Sequence, residues 1–191
     1  MAVTSFFEEN FKQINYSKES FRNTVYESCV FENCSFAKVN FIDLTFEECE
    51  FINCDFTGAF LNETAFREVG FVGCKMIGLN FEGINPFRLK MDFEESILDY
   101  AIFHGMKLIG VKMINCSLKE CDFTAANFQK AIFTGSNLTN ALFQQTNLIE
   151  ADFRSSENYT INPGLNQVKG ARFSKDELMG LLRDFKIKVE E

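Results

Sequence analysis

The side chains of this 191-residue chain that could carry chemistry are seven cysteines, a single histidine and many Asp, Glu and Ser residues. Three pairs, Cys29/Cys34, Cys49/Cys54 and Cys116/Cys121, with Cys74 alone, invite a metal or disulfide reading. Their spacing points elsewhere. Zinc wants CxxC-type spacing and usually His, and neither is present. All seven cysteines instead stand two residues before a large apolar residue, where a thiol serves as a small side chain that tolerates burial. His104 has no partner that the sequence identifies. The acids and serines recur at repeat positions and do not gather around one irregular loop. No nucleophile-and-base pair, no carboxylate pair and no Gly-rich phosphate loop can be named. The expectation is no catalytic residue, no metal, no cofactor and no enzyme.

The elements that position these residues follow from phenylalanine. The chain has 24 Phe, 4 Tyr and no Trp, which suggests one environment built many times. Read in fives, Phe11, Phe21, Phe31, Phe36, Phe41, Phe46, Phe51, Phe56, Phe66, Phe71 and Phe81 share one frame, with Tyr16, Tyr26, Leu61 and Met76 in its gaps. A second frame runs from Phe93 to Phe153. Neither 3.6 nor 2.0 explains this period. Two residues before each centre the chain mostly has a small residue, as at Cys29, Cys54, Ala59, Thr64, Ala101, Ala126 and Ser136. Such a unit cannot bury its large and small residue alone, so successive units must wind into a solenoid.

Copies such as Cys54-Asp55-Phe56, Cys121-Asp122-Phe123, Ala126-Asn127-Phe128, Ser136-Asn137-Leu138, Thr146-Asn147-Leu148 and Ala151-Asp152-Phe153 resemble the A(D/N)Lxx pattern of the pentapeptide-repeat family. The resemblance implies an all-β fold, a right-handed quadrilateral β-helix with four pentapeptides per coil and a short C-terminal α-helix. The centre points inward and the small residue lines a corner. Stacked coils would bring Cys34, Cys54 and Cys74, or Cys29 and Cys49, close enough for a disulfide by distance alone, whereas a reducing cytosol favours free thiols. Glu9 and Glu19 depart from the pattern at the small inward position, so the first coil is expected to be irregular. Leu44, Leu79, Met91 and Met106 overfill that position and should bulge.

The expected organisation is a first stack over 1–81, a break over 82–92, a second stack of the same solenoid over 93–153 and a C-terminal segment over 154–191. Phe81 and Phe93 are two residues too far apart, and Pro86 lies between them. Proline cannot donate to a ladder, so a corner bulge is expected there, or a protruding loop that exposes Phe87. Ser155 to Gly170 reads as loop with a turn at Asn162-Pro163-Gly164. Ser174 and Glu177 form a capping box. Leu178, Leu181, Leu182 and Phe185 then fall on one face of an amphipathic helix, and Lys186 to Glu190 alternates like a strand. This tail covers the open end, or, as in members similar to the quinolone-resistance and microcin-immunity type, joins two chains into a homodimer.

Composition narrows the partners. The chain is 46% hydrophobic and 24% charged, a globular balance, with net charge −8 and pI near 4.8. Direct binding of nucleic acid needs a basic face and is not expected. No apolar run approaches the roughly 20 residues that span a bilayer. Met1 to Asn10 has neither a basic end nor an apolar core, so no membrane and a cytoplasmic location are expected. The acid sits on the rod. Twenty residues per coil superpose Asp43 on Glu63 and Glu48 on Glu68, with Glu27 below Glu47 and Glu50 at the next corner. Such a ladder repels itself and can steer a basic partner. The family resemblance implies a candidate: a DNA mimic that engages the DNA-binding saddle of DNA gyrase or topoisomerase IV, and modulates it or protects it from quinolones. The alternative is a general protein-interaction scaffold. The long inserted loops of some quinolone-resistance members are absent, and Arg67 and Lys75 interrupt the acidic ladder.

Overall fold

The computed structural model describes residues 3–18 and 23–187. Glu19 and Phe21 of the repeat frame, and the end of the alternating stretch 186–190, lie outside the described residues.

A pentapeptide that turns one large residue inward and the next three through a corner makes strands only two to four residues long. They are Thr4–Phe7 (β1), Asn10–Lys12 (β2), Thr24–Glu27 (β3), Val30–Glu32 (β4), Thr45–Glu47 (β5), Glu50–Ile52 (β6), Ala65–Arg67 (β7), Val69–Val72 (β8), Met91–Glu94 (β9), Met113–Ile114 (β10), Asp152–Phe153 (β11) and Arg172–Phe173 (β12). All pair in parallel. β1, β3, β5 and β7 form one sheet, β2, β4, β6, β8, β9 and β10 another, and β11 pairs with β12. The register repeats every coil: Thr4 pairs with Thr24, Val25 with Thr45, Thr45 with Ala65. These sheets are the first and second walls of a right-handed, four-sided solenoid of about eight coils. Isolated bridges such as Ser35 to Asp55 and Ile102 to Asp122 run up the third and fourth walls.

The core is a set of aromatic columns. Phe11, Phe31, Phe51, Phe71 and Phe93 stack up the second wall with ring centroids 4.9, 4.8, 5.2 and 5.2 Å apart. Around a coil the rings meet edge to face, as Phe46 does with Phe51 at 5.2 Å and 68°. Both arrangements suit the ring quadrupole. Each buried ring contributes on the order of 1.5 to 3 kcal/mol by burial alone. The overfilled corners are accommodated inside, since Leu44, Leu79, Met91 and Met106 are buried. The first coil pairs in register, yet Phe6 and Phe11 are only partly buried and Glu9 is exposed, because no coil covers that end among the described residues.

Two extra residues enter where the sequence placed them. Ala65 pairs with Asn85, a step of one regular coil, whereas Val69 pairs with Met91. The surplus therefore lies in 86–90, on the first wall. Beyond Phe153 the structure differs from the loop reading. Residues 154–173 wind a further coil: Asn137 bridges Glu157, Asn147 bridges Gln167, and Phe173 stacks on Phe153 at 5.2 Å. Ser156, Tyr159, Ile161 and Asn166 fill the interior there without the repeat motif. The C-terminal helix is present, but its turns are 3₁₀, over Lys175–Leu181 and Arg183–Phe185. Its capping box does not form, because Ser174 Oγ accepts the Ser155 N–H at 2.8 Å. Lys186 turns into a left-handed conformation, φ 49°, and the rest of the alternating stretch lies outside the described residues.

Candidate interaction surfaces

A corner residue two places after each centre must turn the chain from one wall to the next, and most take positive φ. This left-handed geometry disfavours side chains with a Cβ. Asp43 (φ 62°) and Glu63 (φ 59°) occupy the corner that enters the first wall, and Glu48 (φ 54°) and Glu68 (φ 57°) the corner that leaves it. Between them, facing outward on the wall itself, Glu27, Glu47 and Arg67 stand in line. Glu50 lies on the adjoining second wall, between Val30 and Gly70. Asp43, Glu48, Glu50, Glu63 and Glu68 are exposed, and Glu47 is half-buried. Five of the six sequence-selected acids thus frame one wall of the first stack, and the sixth adjoins it.

The ladder is less purely acidic than the spacing suggests. Glu47 accepts from Arg67 Nη1 at 3.1 Å and pairs with Arg88 Nη1 at 2.7 Å. The Arg67 hydrogen bond, with the Arg88 charge beside it, holds the Glu47 carboxyl below its usual range. Lys90 Nζ lies 3.6 Å from Glu68. The Arg67 guanidinium also sits over the exposed Phe87 ring, 5.5 Å from its centroid, a cation–π arrangement. The acidic wall therefore ends at the break, against a cluster of three cations that the break itself supplies or orients.

The break also opens a hollow of about 560 Å³. Its floor is Ile84, Leu89 and Met106, and Arg88, His104, Lys107 and Glu82 stand around it. His104 has no partner that its sequence position identifies. The misplaced proline and the surplus of two residues were the signal for this site.

At the far end, the tail helix docks through Gly180. Ile161 N–H donates to Gly180 O at 3.0 Å, and a Cβ on Gly180 would collide with the Tyr159 ring and carbonyl. Leu181 packs on the core. Leu178 (43% exposed) and Phe185 (54%) face outward with Met179 (41%) and Ile187 (53%), while Leu182 is half-buried. The 3₁₀ turn aligns residues three apart, so the outward stripe is Met179, Leu182 and Phe185, and Leu181 leaves the expected α-helical face.

The seven cysteines are all free and buried. Their thiols donate to main-chain carbonyls: Cys54 to Phe31, Cys74 to Phe51, both at 3.3 Å, and Cys121 to Leu98 at 3.0 Å. Burial pushes the thiols of Cys49 and Cys116 up to about 12. Among the described residues no group of three or more His, Cys, Asp or Glu could hold a metal ion, and no helix is long and apolar enough to cross a membrane.

Comparison with known proteins agrees with this architecture. The chain superposes on HetL, a pentapeptide repeat protein involved in heterocyst differentiation regulation from the cyanobacterium Nostoc, with TM-score 0.72 at 15% identity, covering 88% of this chain and 84% of that one. It also superposes on two trypsin-treated forms of QnrB1, a plasmid-mediated fluoroquinolone resistance protein. The first has TM-score 0.62 at 14% identity over the whole of both chains, the second 0.56 at 17% over 98% of each. At such identities the likeness is one of fold. No curated protein sequence matches the chain. The family model for the pentapeptide repeat region matches residues 19–86, and that for pentapeptide repeats in eight copies matches 121–156, together more than half the chain. With the centre-and-corner register continuous through both segments, the chain belongs to the pentapeptide-repeat family.

Proposed function

We propose that this protein is a non-catalytic binding rod that acts in the cytoplasm and presents its acidic wall to a basic protein surface. The candidate partner is the DNA-binding saddle of a type II topoisomerase, DNA gyrase or topoisomerase IV, where the rod stands in for duplex DNA. The observation that carries this reading is the alignment of Asp43 with Glu63 and Glu48 with Glu68 on the two corners of one wall. Carboxylates repeated about every 4.8 Å along a straight edge offer a regular anionic track, and exposed charge of one sign steers association. The shared fold with a fluoroquinolone resistance protein supports the choice of partner. Supercoiling by purified gyrase, with and without a quinolone, tests it. Inhibition or drug protection that weakens with added salt, and with Asp43, Glu48, Glu63 and Glu68 changed to Asn, is the expected result. No inhibition, no protection and no binding remove the topoisomerase reading.

A general protein-interaction scaffold is the second reading. It is favoured by the cations Arg67, Arg88 and Lys90, which neutralise Glu47 and Glu68 and place exposed Phe87 beside them. In both readings the chain pairs with a second copy through the outward apolar residues of its tail helix.

A further inference from the structure

On each wall, neighbouring coils are held by main-chain bonds that repeat from centre to centre, among them the upward bond of the residue two after a centre, as Gly78 makes to Asp99 at 2.8 Å. The residue before a centre donates its N–H to the coil below, as Ile102 does to Leu79 at 2.9 Å and Asn127 to Met106 at 2.7 Å. The centre below donates upward, as Phe81 does to Ile102 at 2.9 Å. At the break this ladder fails on the first wall. Pro86 stands in the slot of a centre and has no N–H to give Lys107. Among the described residues, Lys107 N–H donates to nothing, and no N–H reaches the carbonyls of Lys107 or Ile109. Along an extended chain these groups point the same way, so residues 107–109 present an open lower edge to the 560 Å³ hollow. A hollow of that volume is in the usual range for a binding site.

We propose that the hollow binds an extended segment of a partner protein in which a carboxylate neighbours an aliphatic side chain, and that the segment pairs as an added strand with the edge at Lys107–Ile109. Unpaired main-chain groups at a sheet edge supply affinity in that mode and alternate side chains supply specificity. The aliphatic side chain meets Ile84, Leu89 and Met106. The preference for acid follows from the rim, where Arg88, His104 and Lys107 face one carboxylate, Glu82, which already accepts from Asn80 Nδ2 at 3.1 Å. Arg88 is shared with Glu47, while Lys107 makes no ion pair among the described residues. On a chain of net charge −8 this rim sets Lys107 and Arg88 against the single acid Glu82, and it meets the acidic wall through the Arg88–Glu47 pair.

The test uses the full chain and three fluorescein-labelled heptapeptides: one alternating valine with aspartate, one alternating valine with lysine, and the first with its main-chain nitrogens methylated. Fluorescence polarisation should show binding of the acidic peptide alone, and Lys107→Glu should weaken it about tenfold, as expected for loss of one charge-assisted contact. Amide exchange should slow at Lys107 when the acidic peptide is present. Lys107 is exposed, so the variant keeps the fold, and Ile109→Asp is a second variant that places an acid on the same edge. Equal binding of the acidic and basic peptides overturns the proposal, as does full binding by the methylated peptide or by both variants. No binding at about 1 mM acidic peptide, weaker than the affinities of functional contacts, also overturns it.

Discussion

A thiol in this core works as a hydrogen-bond donor as well as a small residue. After Phe31, Phe51 and Met113 the corner forms no bond from the third following N–H, which leaves a lone pair of the centre carbonyl open to a side-chain donor. The coil above supplies a side-chain donor there: Cys54 to Phe31, Cys74 to Phe51, Ser136 to Met113 at 2.7 Å. Ala59, Ala126 and Ala131 stand at corners whose own N–H already bonds the centre carbonyl. Cys54→Ala should therefore cost about 1 kcal/mol, the net value of one hydrogen bond, because the Phe31 carbonyl keeps its ladder bond, while Cys54→Ser should cost clearly less; urea midpoints of the two variants check the order. The sequence showed that the position is small and faces in. It could not show which corners lack a backbone bond, because that depends on turn geometry. The same burial sets a pH response. Cys49 and Cys116 titrate near 12 when folded and near 9 when unfolded, so the fold binds protons that the unfolded chain releases. Their contribution is complete below about pH 9 and is lost as pH rises towards 12. Urea midpoints should be level from neutral pH to about 8.5 and fall above 9.

At the level of elements, the regular walls were legible because a five-residue period has one geometric solution. The break was legible in position, from the two-residue surplus and Pro86. The tail was legible only in outline. Residues 154–173 carry no repeat motif yet complete a coil, because Phe173 and Tyr159 supply rings from irregular positions. The helix is 3₁₀, with Ser174 engaged elsewhere and Gly180 pressed on Tyr159. Replacing Gly180 should thus undock this element specifically. Gly180→Leu is expected to expose Tyr159, whose hydroxyl burial pushes up to about 12, and to return its titration towards 10, visible by ultraviolet absorbance, with the rest of the rod unchanged. Five of the six acidic residues fall on one wall and Glu50 on the next, but the arginines meant different roles for them. Glu47→Gln leaves Arg67, half-buried, without its carboxylate and should lower stability by about 1 kcal/mol. Glu63→Asn removes a charge from a left-handed corner that Asn tolerates well and should leave stability level or slightly raised in the same thermal melt.

For the whole molecule, the two ends are unlike. The C-terminal end is covered by its helix and shows an apolar stripe outward. Leu182→Glu with Phe185→Lys should give a monomer by sedimentation while preserving the β-dominated circular dichroism; an unaltered chain that sediments as a monomer at micromolar concentration removes the homodimer. The other end has Phe6 and Phe11 half-covered. This asymmetry acquires meaning from the twenty-residue register, in which Thr4 meets Thr24 and Val25 meets Thr45. Every coil finds its partner in the chain made just before it. A ribosome adding about 5 to 20 residues per second delivers a coil every one to four seconds, whereas closing a short loop takes far less than a millisecond. The rod can therefore grow at the pace of translation, each coil laid on a finished one, with the covering helix made after the coils that it covers. Growth meets one discontinuity. After Pro86 the first wall offers Lys107 no partner, so the sixth coil must settle on the second wall, where Met113 pairs with Phe93, before its own first wall has anything to follow.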